Sequence, residues 1–505
     1  MTQAIRRLFL GFDVGTQGAK GIVIDGERGV VVARAARSYG LIAGLPPGAA
    51  EQHPDTWATA LRELAAELFA LPGVDAALLA AIGVSGQQHG CVVLDECGAV
   101  VRPAKLWCDT STAAEARELA TRLGRPLPTG YTASKLLWLA RHEPDRFARV
   151  RRVLLPHDWV NFRLTGRATM EAGDASGTGL FDPVARQFDR AALAAVDPRL
   201  AAMVPPLVEA GAAAGTLTDE GASWLGLPRS AVGAQVAAGG GDNMMSAIGS
   251  GATRSGVAVL SLGTSATLFT RSERAIVDPG GAIAPFCDST GAWLPLLCVM
   301  NATGVLEEVR AAFGGDLATL TDEAERVEPG CGGLTFLPFL NGERVPDLPH
   351  ASGALLGLRP GSLQRGRLFR AALEGVAVNL AWGAARMRAL GIALDSIRLV
   401  GGGARNRLWR QLLADALAAP VQPLAEAESA ALGAALQALW SWRRARGENV
   451  GADAVAAPWI RFEGEPIVPR ADGVAHFAQR LAPFQQACTR LFGAAPHTAA
   501  TPSPE

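Results

Sequence analysis

No glycine in the 505 residues is followed by lysine, so the Gly-Lys pair of a P-loop is missing and nucleotide binding through such a loop is excluded. Cysteine is scarce and scattered: Cys91, Cys97, Cys108, Cys287, Cys298, Cys331 and Cys488 form no CxxC pair and meet no histidine cluster at zinc spacing. They read as free thiols of a reducing cytoplasm. Long apolar runs are lacking too. No stretch of about 20 uncharged apolar residues is available to cross a bilayer, and the apolar run after Arg6-Arg7 is interrupted at Asp13 before it becomes an export signal. Nor does either charge dominate. With 47 Lys+Arg against 48 Asp+Glu the net charge is −1, which removes nucleic acid and anionic membranes as expected partners and leaves a small molecule.

Apolar residues, by contrast, make up 49% of a chain longer than one hydrophobic core usually supports, so two large domains are expected. Residues 8–12, the turn Gly15-Thr16-Gln17-Gly18 and residues 20–24 read as a β-hairpin, and residues 30–33 add a third antiparallel strand. The first turn holds Asp13, Thr16 and Gln17. Such a turn offers N–H groups and a hydroxyl to phosphate, with a carboxylate at hand for a divalent ion. Residues 55–69 carry Trp57, Leu61, Leu64 and Leu68 at helical spacing, with Asp55 or Thr56 as N-cap. Residues 79–84 then read as a buried strand ending in Ser85-Gly86-Gln87-Gln88-His89-Gly90, where open α/β sheets place ligand contacts. Gln88 and His89 suit sugar hydroxyls, and Trp107 beside Asp109 suits a sugar's apolar face and its hydroxyls. Residues 132–141 and 156–164 read as helices without assigned chemistry. Residues 174–178 read as a turn that either lines a cleft or connects elements.

Near the middle stands Gly239-Gly240-Gly241-Asp242-Asn243. Three glycines let the backbone approach a substrate and aim the next side chain, so Asp242 is either a catalytic carboxylate on a tight turn or the N-cap of a helix over 243–248. Residues 256–262, Gly263-Thr264-Ser265 and residues 266–270 repeat the opening hairpin without an acid before the turn. The repeat continues where residues 397–400 run into Gly401 to Asn406, much as the strand at Ile82 runs into Ser85-Gly86-Gln87. Helices over 408–417 and 429–440 are expected to pack the second domain, with Gly433 marking a close contact. Residues 336–346 read as a structural corner. A terminal helix over 476–492 should kink or restart at Pro483, and residues 494–505 should be disordered.

Asp13-Val14-Gly15-Thr16-Gln17, Gly86-Gln87-Gln88-His89-Gly90, Gly239-Gly240-Gly241-Asp242-Asn243, Ser261-Leu262-Gly263-Thr264-Ser265, Phe339-Leu340-Asn341-Gly342-Glu343-Arg344, and Gly401-Gly402-Gly403-Ala404 before Leu408-Trp409-Arg410 follow in this order. Together they resemble the FGGY carbohydrate kinases over nearly all of the chain. The resemblance implies an α/β fold of two duplicated ribonuclease-H-like (actin-like ATPase) domains around a central cleft. Residues 1–248 would form the sugar-binding domain with the first phosphate loop, 249–493 the nucleotide-binding domain, and 494–505 a tail. It implies Asp242 as the base that deprotonates the sugar hydroxyl, with Gln88, His89, Trp107, Asp109, Asp242 and Asn243 as sugar contacts. Asp13 would serve Mg2+. Thr16, Gln17, Gly263 and Thr264 would meet the phosphates of ATP, and Gly304, Gly402, Gly403 and Asn406 would complete the nucleotide site.

Within the family, the members most similar to this chain phosphorylate D-xylulose to D-xylulose 5-phosphate. Bacterial members of that kind usually carry Met-His-Gly where this chain has Gln88-His89-Gly90, which leaves another ketose, a polyol or glycerol as the alternative. A non-enzymatic ATP-driven binding module on the same fold is the alternative of another class. The implied setting is cytoplasmic, with a homodimer as candidate assembly.

Overall fold

The computed structural model describes residues 6–493, so the expected disordered tail at 494–505 lies outside them. The expected repeat of a hairpin and its parallel partner is present in two sheets. The first sheet runs in the order Ala213–Thr216, Gln235–Ala237, Leu79–Gly86, Leu8–Val14, Gly18–Asp25 and Val30–Ser38. The second runs Val421–Pro423, Leu394–Val400, Gly256–Leu262, Ala266–Thr270, Trp293–Val299 and Ile283–Cys287. In each, a hairpin pairs antiparallel and its first strand then takes a parallel partner, Leu79–Gly86 in one and Leu394–Val400 in the other. The parallel strands are buried, as their unbroken apolar runs require. These are two ribonuclease-H-like sheets, and in both the turn of the opening hairpin lies at the end where the parallel neighbour's carboxyl terminus also emerges.

Element ends differ from expectation for local reasons. The first long helix is Pro54–Ala70, capped by His53 rather than by Asp55 or Thr56, because Pro54 has no N–H to satisfy and takes the first helical position. Asp242 is likewise the first residue of the helix Asp242–Gly249, and Gly241 stands at its cap. The terminal helix, Ala471–Phe492, continues through Pro483. An interior proline costs a helix about 3 kcal/mol. Burying Phe477 and Phe484, each a contribution of roughly 2 to 3 kcal/mol, outweighs that loss, and Phe484 packs edge-on against Phe339 and Trp382.

The helix Ser429–Arg444 corrects a larger expectation. It does not serve only the second half: it lies on the first sheet and on the Asp242–Gly249 helix. A Cβ at Gly11 would stand 2.1 Å from the carbonyl of Ala431, and one at Gly83 1.9 Å from that of Ala434. Its apolar residues share a core with Phe9, Ile22, Ile24 and Ala81. Arg407–Leu417, by contrast, packs where expected, with Trp409, Leu412 and Leu413 in the core of the second sheet. Among the described residues no helix is long and apolar enough to cross a membrane.

Candidate active site

The carboxyl end of Leu79–Gly86 carries the site. The glycine run lies alongside it, Gly240 opposite Ser85 and Gly241 opposite Gly86, and only glycine fits there. Gly239 has φ +79°, and a Cβ at Gly241 would lie 2.7 Å from Cγ of Gln88. The run thereby delivers Asp242 and Asn243 to a cavity of about 380 Å3 that Thr16, Gln88, His89, Trp107 and Gly263 also line. Asn243 Nδ2 donates to Gln88 Oε1 at 2.8 Å and to Asp242 Oδ1 at 3.0 Å, while its Oδ1 accepts from Thr267 Oγ1 at 3.1 Å. Asp242 is thus held from one side by its neighbour, and Asn243 by both halves of the molecule.

Burial pushes the Asp242 carboxyl up to about 8, reinforced by the nearby charges of Asp13 and Asp174. Asp13 is also raised by burial, against the opposing pull of Lys20, and accepts from Ser85 Oγ at 2.7 Å. Asp13 is near enough for its charge to act on Asp242, and the two buried carboxyl groups together leave negative charge undercompensated. A cation or a proton is the physical remedy.

His89 sits at φ +63°, a conformation a non-glycine residue adopts only when its surroundings hold it. Lys135 Nζ donates to its carbonyl at 2.6 Å and Thr132 Oγ1 at 3.1 Å. Its ring packs with Tyr131 and Phe286, with centroids 4.8 and 5.7 Å away. Burial, then Lys135 and Arg344, keep the imidazole neutral, its pKa well below the usual value. Its Nδ1 is buried against Gly177, where a Cβ would come within 2.4 Å of it, so the ring meets the cavity by its other atoms.

Trp107 does two things. It forms part of the cavity wall, and its Nε1 donates to Thr16 Oγ1 at 2.9 Å, which in turn donates to Gln87 Oε1 at 2.9 Å. The first turn is further fixed by Gln52 Nε2 on the Thr16 carbonyl and Tyr39 on that of Gly15. Gln17 is exposed on the outer side of this turn. Asp109 is not at the cavity wall: its buried carboxylate takes the N–H of Ala50 at 2.9 Å and Lys105 Nζ at 3.1 Å. The geometry therefore gives it a structural ion pair instead of a sugar hydroxyl.

On the other side, the second turn meets the helix Thr303–Phe313. Ala302 N donates to the Thr264 carbonyl and Thr303 N to that of Gly263, and a Cβ at Gly304 would stand 3.1 Å from Thr264 Cγ2. Gly403 packs against Leu262 and Thr303, while a Cβ at Gly402 would meet nothing within 4 Å. Gly263, Thr264, Gly304, Gly402 and Gly403 are thus brought to one surface with open space above Gly402. Asn406 is committed elsewhere, its Oδ1 capping Trp409 N and its Nδ2 on Thr321 Oγ1.

Three groups escaped the sequence reading. Lys135 hides on an amphipathic helix, although only three of the 47 basic residues are lysine, a scarcity that singles it out. His157 and Asp174, 3.0 Å apart and fully buried, stand behind the glycine run. Arg344, in the segment expected to be a corner, lines the cavity.

Residues 8–249 match the N-terminal domain of the FGGY family of carbohydrate kinases, and residues 258–442 match its C-terminal domain. The chain is 40% identical to a xylulose kinase of Haemophilus influenzae over 86% of its own length and 90% of that protein's. It is also 40% identical to one of Streptomyces coelicolor, over 87% and 89% of the two chains. The xylulose kinase structure from Rhodospirillum rubrum superposes with a TM-score of 0.84 at 28% identity, covering 97% of this chain and 100% of that one. Duplicated sheets, facing glycine-rich turns and a carboxylate between them agree with these matches: the chain belongs to the FGGY family of carbohydrate kinases.

Proposed function

We propose that this kinase transfers the γ-phosphoryl group of ATP to D-xylulose, giving D-xylulose 5-phosphate, with Asp242 as general base. The observation that carries the reading is the place of Asp242: a buried carboxylate at the first turn of a helix, in a cavity whose walls include the Thr16 turn and the Gly263 turn. The similarity to xylulose kinases supports the sugar. Phosphoryl transfer asks chiefly for positioning and charge neutralisation. Asp242 accepts the proton of the attacking hydroxyl, Asn243 holds that carboxylate and the sugar, and His89 together with Gln88 fixes the remaining hydroxyls. ATP supplies the phosphoryl group, with its phosphates between the two turns and its nucleoside over Gly402 and Gly403.

Among the described residues no group of three or more metal-ligating side chains exists. Mg2+ does not require one, since with nucleotides it is commonly held by one or two carboxylates, phosphate oxygens and water. Asp13 fits that mode, a buried carboxylate at the end of Leu8–Val14 beside the Thr16 turn, with Ser85 Oγ on one oxygen. A cation there would also favour ionised Asp242. Residues 1–248 form the sugar side and 249–493 the nucleotide side in this reading, with the helix Ser429–Arg444 crossing between them.

The test is a coupled ATP-consumption assay over D-xylulose, D-ribulose, gluconate and glycerol. D-xylulose is expected to give the highest kcat/KM. Asp242→Ala should abolish turnover while nucleotide binding persists, and Asp13→Ala should weaken the magnesium-dependent rate. Turnover of another sugar but not D-xylulose would overturn the substrate, and retained turnover in Asp242→Ala would overturn the base.

A further inference from the structure

Between Ala237 and Gly240 the chain leaves the edge of the parallel strand Leu79–Gly86 and then rejoins it. Gly239, at φ +79°, is the residue that turns out. A residue outside the ladder leaves an N–H and a carbonyl that, if buried, need other partners. One side chain supplies both. Gln437, fully buried on the helix Ser429–Arg444, accepts from Gly239 N–H through Oε1 at 2.9 Å and donates to the Gly239 carbonyl through Nε2 at 2.8 Å. Asn161 Nδ2 takes the neighbouring Ala238 carbonyl at 2.8 Å. One turn further along the same helix, Ser441 Oγ accepts from Gln235 Nε2 at 2.6 Å.

We propose that Gln437 is a positioning residue for the reaction: its primary amide takes the place of a missing strand partner and fixes where the glycine run delivers Asp242. The amide pairs with the backbone as another peptide would, and it satisfies the donor and the acceptor of Gly239 together. Asp242 follows three residues later with only glycines between. Glycines alone provide little stiffness, so the register of Gly240 and Gly241 against Ser85 and Gly86 depends on this outer clamp. The clamp comes from the sequence's second half, on the helix that also packs against Asp242–Gly249 at Gly433 and Gly249.

The proposal rests on Asp242 being the base, and the experiment separates the two claims. Steady-state kinetics with the sugar that the wild type turns over would compare Gln437→Leu, Ser441→Ala and Asp242→Asn in the full chain. Gln437→Leu is expected to lower kcat roughly 10- to 100-fold, the scale of a small misplacement at a reacting centre, with KM for sugar and nucleotide within about twofold. Ser441→Ala removes a buried bond from the same helix and should keep kcat within about twofold. If Gln437→Leu is not folded by circular dichroism, Gln437→Met is read in its place with the same expectations. A wild-type kcat for the Gln437 variant, or an equal loss in Ser441→Ala, overturns the positioning role. If Asp242→Asn retains turnover, the base assignment fails and the proposal with it. An inactive Asp242→Asn beside a fully active Gln437 variant sinks the proposal alone.

Discussion

At the scale of single residues, Asp242 carries the conflict on which the site is built. Unfolded, its carboxyl loses a proton in the ordinary range near pH 4. Folded, burial beside Asp13 and Asp174 raises that to about 8. The native state therefore favours the protonated form, and the unfavourable contribution grows from about pH 4 upward and is complete only above about 8. Asp242→Asn should accordingly raise Tm by several degrees at pH 8, by progressively less toward pH 5, and not at all below about pH 4. Thermal melts of both proteins without nucleotide across that range would check it, and a gain independent of pH would contradict it. Residues of this kind were legible where glycines framed them: Gln88 and His89 lie between Gly86 and Gly90, and Asp242 follows Gly241. Asp109 was misread although its partner was in view, since Lys105 precedes it by four residues and forms the ion pair that occupies it. His157 left no such mark and Asp174, although it follows Gly173 in a stretch read as a turn, did not announce its partner, because their pairing joins the helix Pro156–Thr165 to the short helix Ala172–Ala175.

Elements were legible by period and punctuation. Both hairpins, both parallel strands and the helices over 132–142 and 156–165 follow from alternation, helical spacing and glycine stops. Which sheet a helix covers was legible only when one face was apolar. Ser429–Arg444 is Ala- and Leu-rich nearly all round, so its pattern names no direction, and its contact with the first sheet depends on small residues meeting from two ends of the sequence. Gly433 shows how close that contact is: a Cβ there would lie 1.8 Å from the Met245 carbonyl oxygen and 2.9 Å from Gly249 N, so a backbone must move to admit one. Gly433→Leu should therefore destabilise beyond the 1 to 3 kcal/mol usual for overpacking, by about 3 kcal/mol or more. Urea unfolding would measure this, and a midpoint within error of wild type would show that the two helices separate freely.

At the scale of the whole molecule, duplication places two similar turns face to face, one with Asp13 and one without an acid. Similar sheets would thus support the proposed asymmetric reaction, in which one half is assigned sugar and base and the other the nucleoside. The helix Ser429–Arg444 has a consequence for the order of synthesis. Phe9, Ile22, Ile24 and Ala81 are made early, yet the helix that covers them is made more than 300 residues later. At about 5 to 20 residues per second, a growing chain keeps that face uncovered for roughly 10 to 40 s after Gly249 has appeared. Chains halted at residue 428 should then be cut rapidly within the first sheet by a protease that spares chains extended to 493, and equal resistance of the two would show that the early half closes without its late cover. A ribosome making this enzyme would thus carry an unfinished apolar surface, a natural client for a chaperone that stays until Ser429–Arg444 emerges.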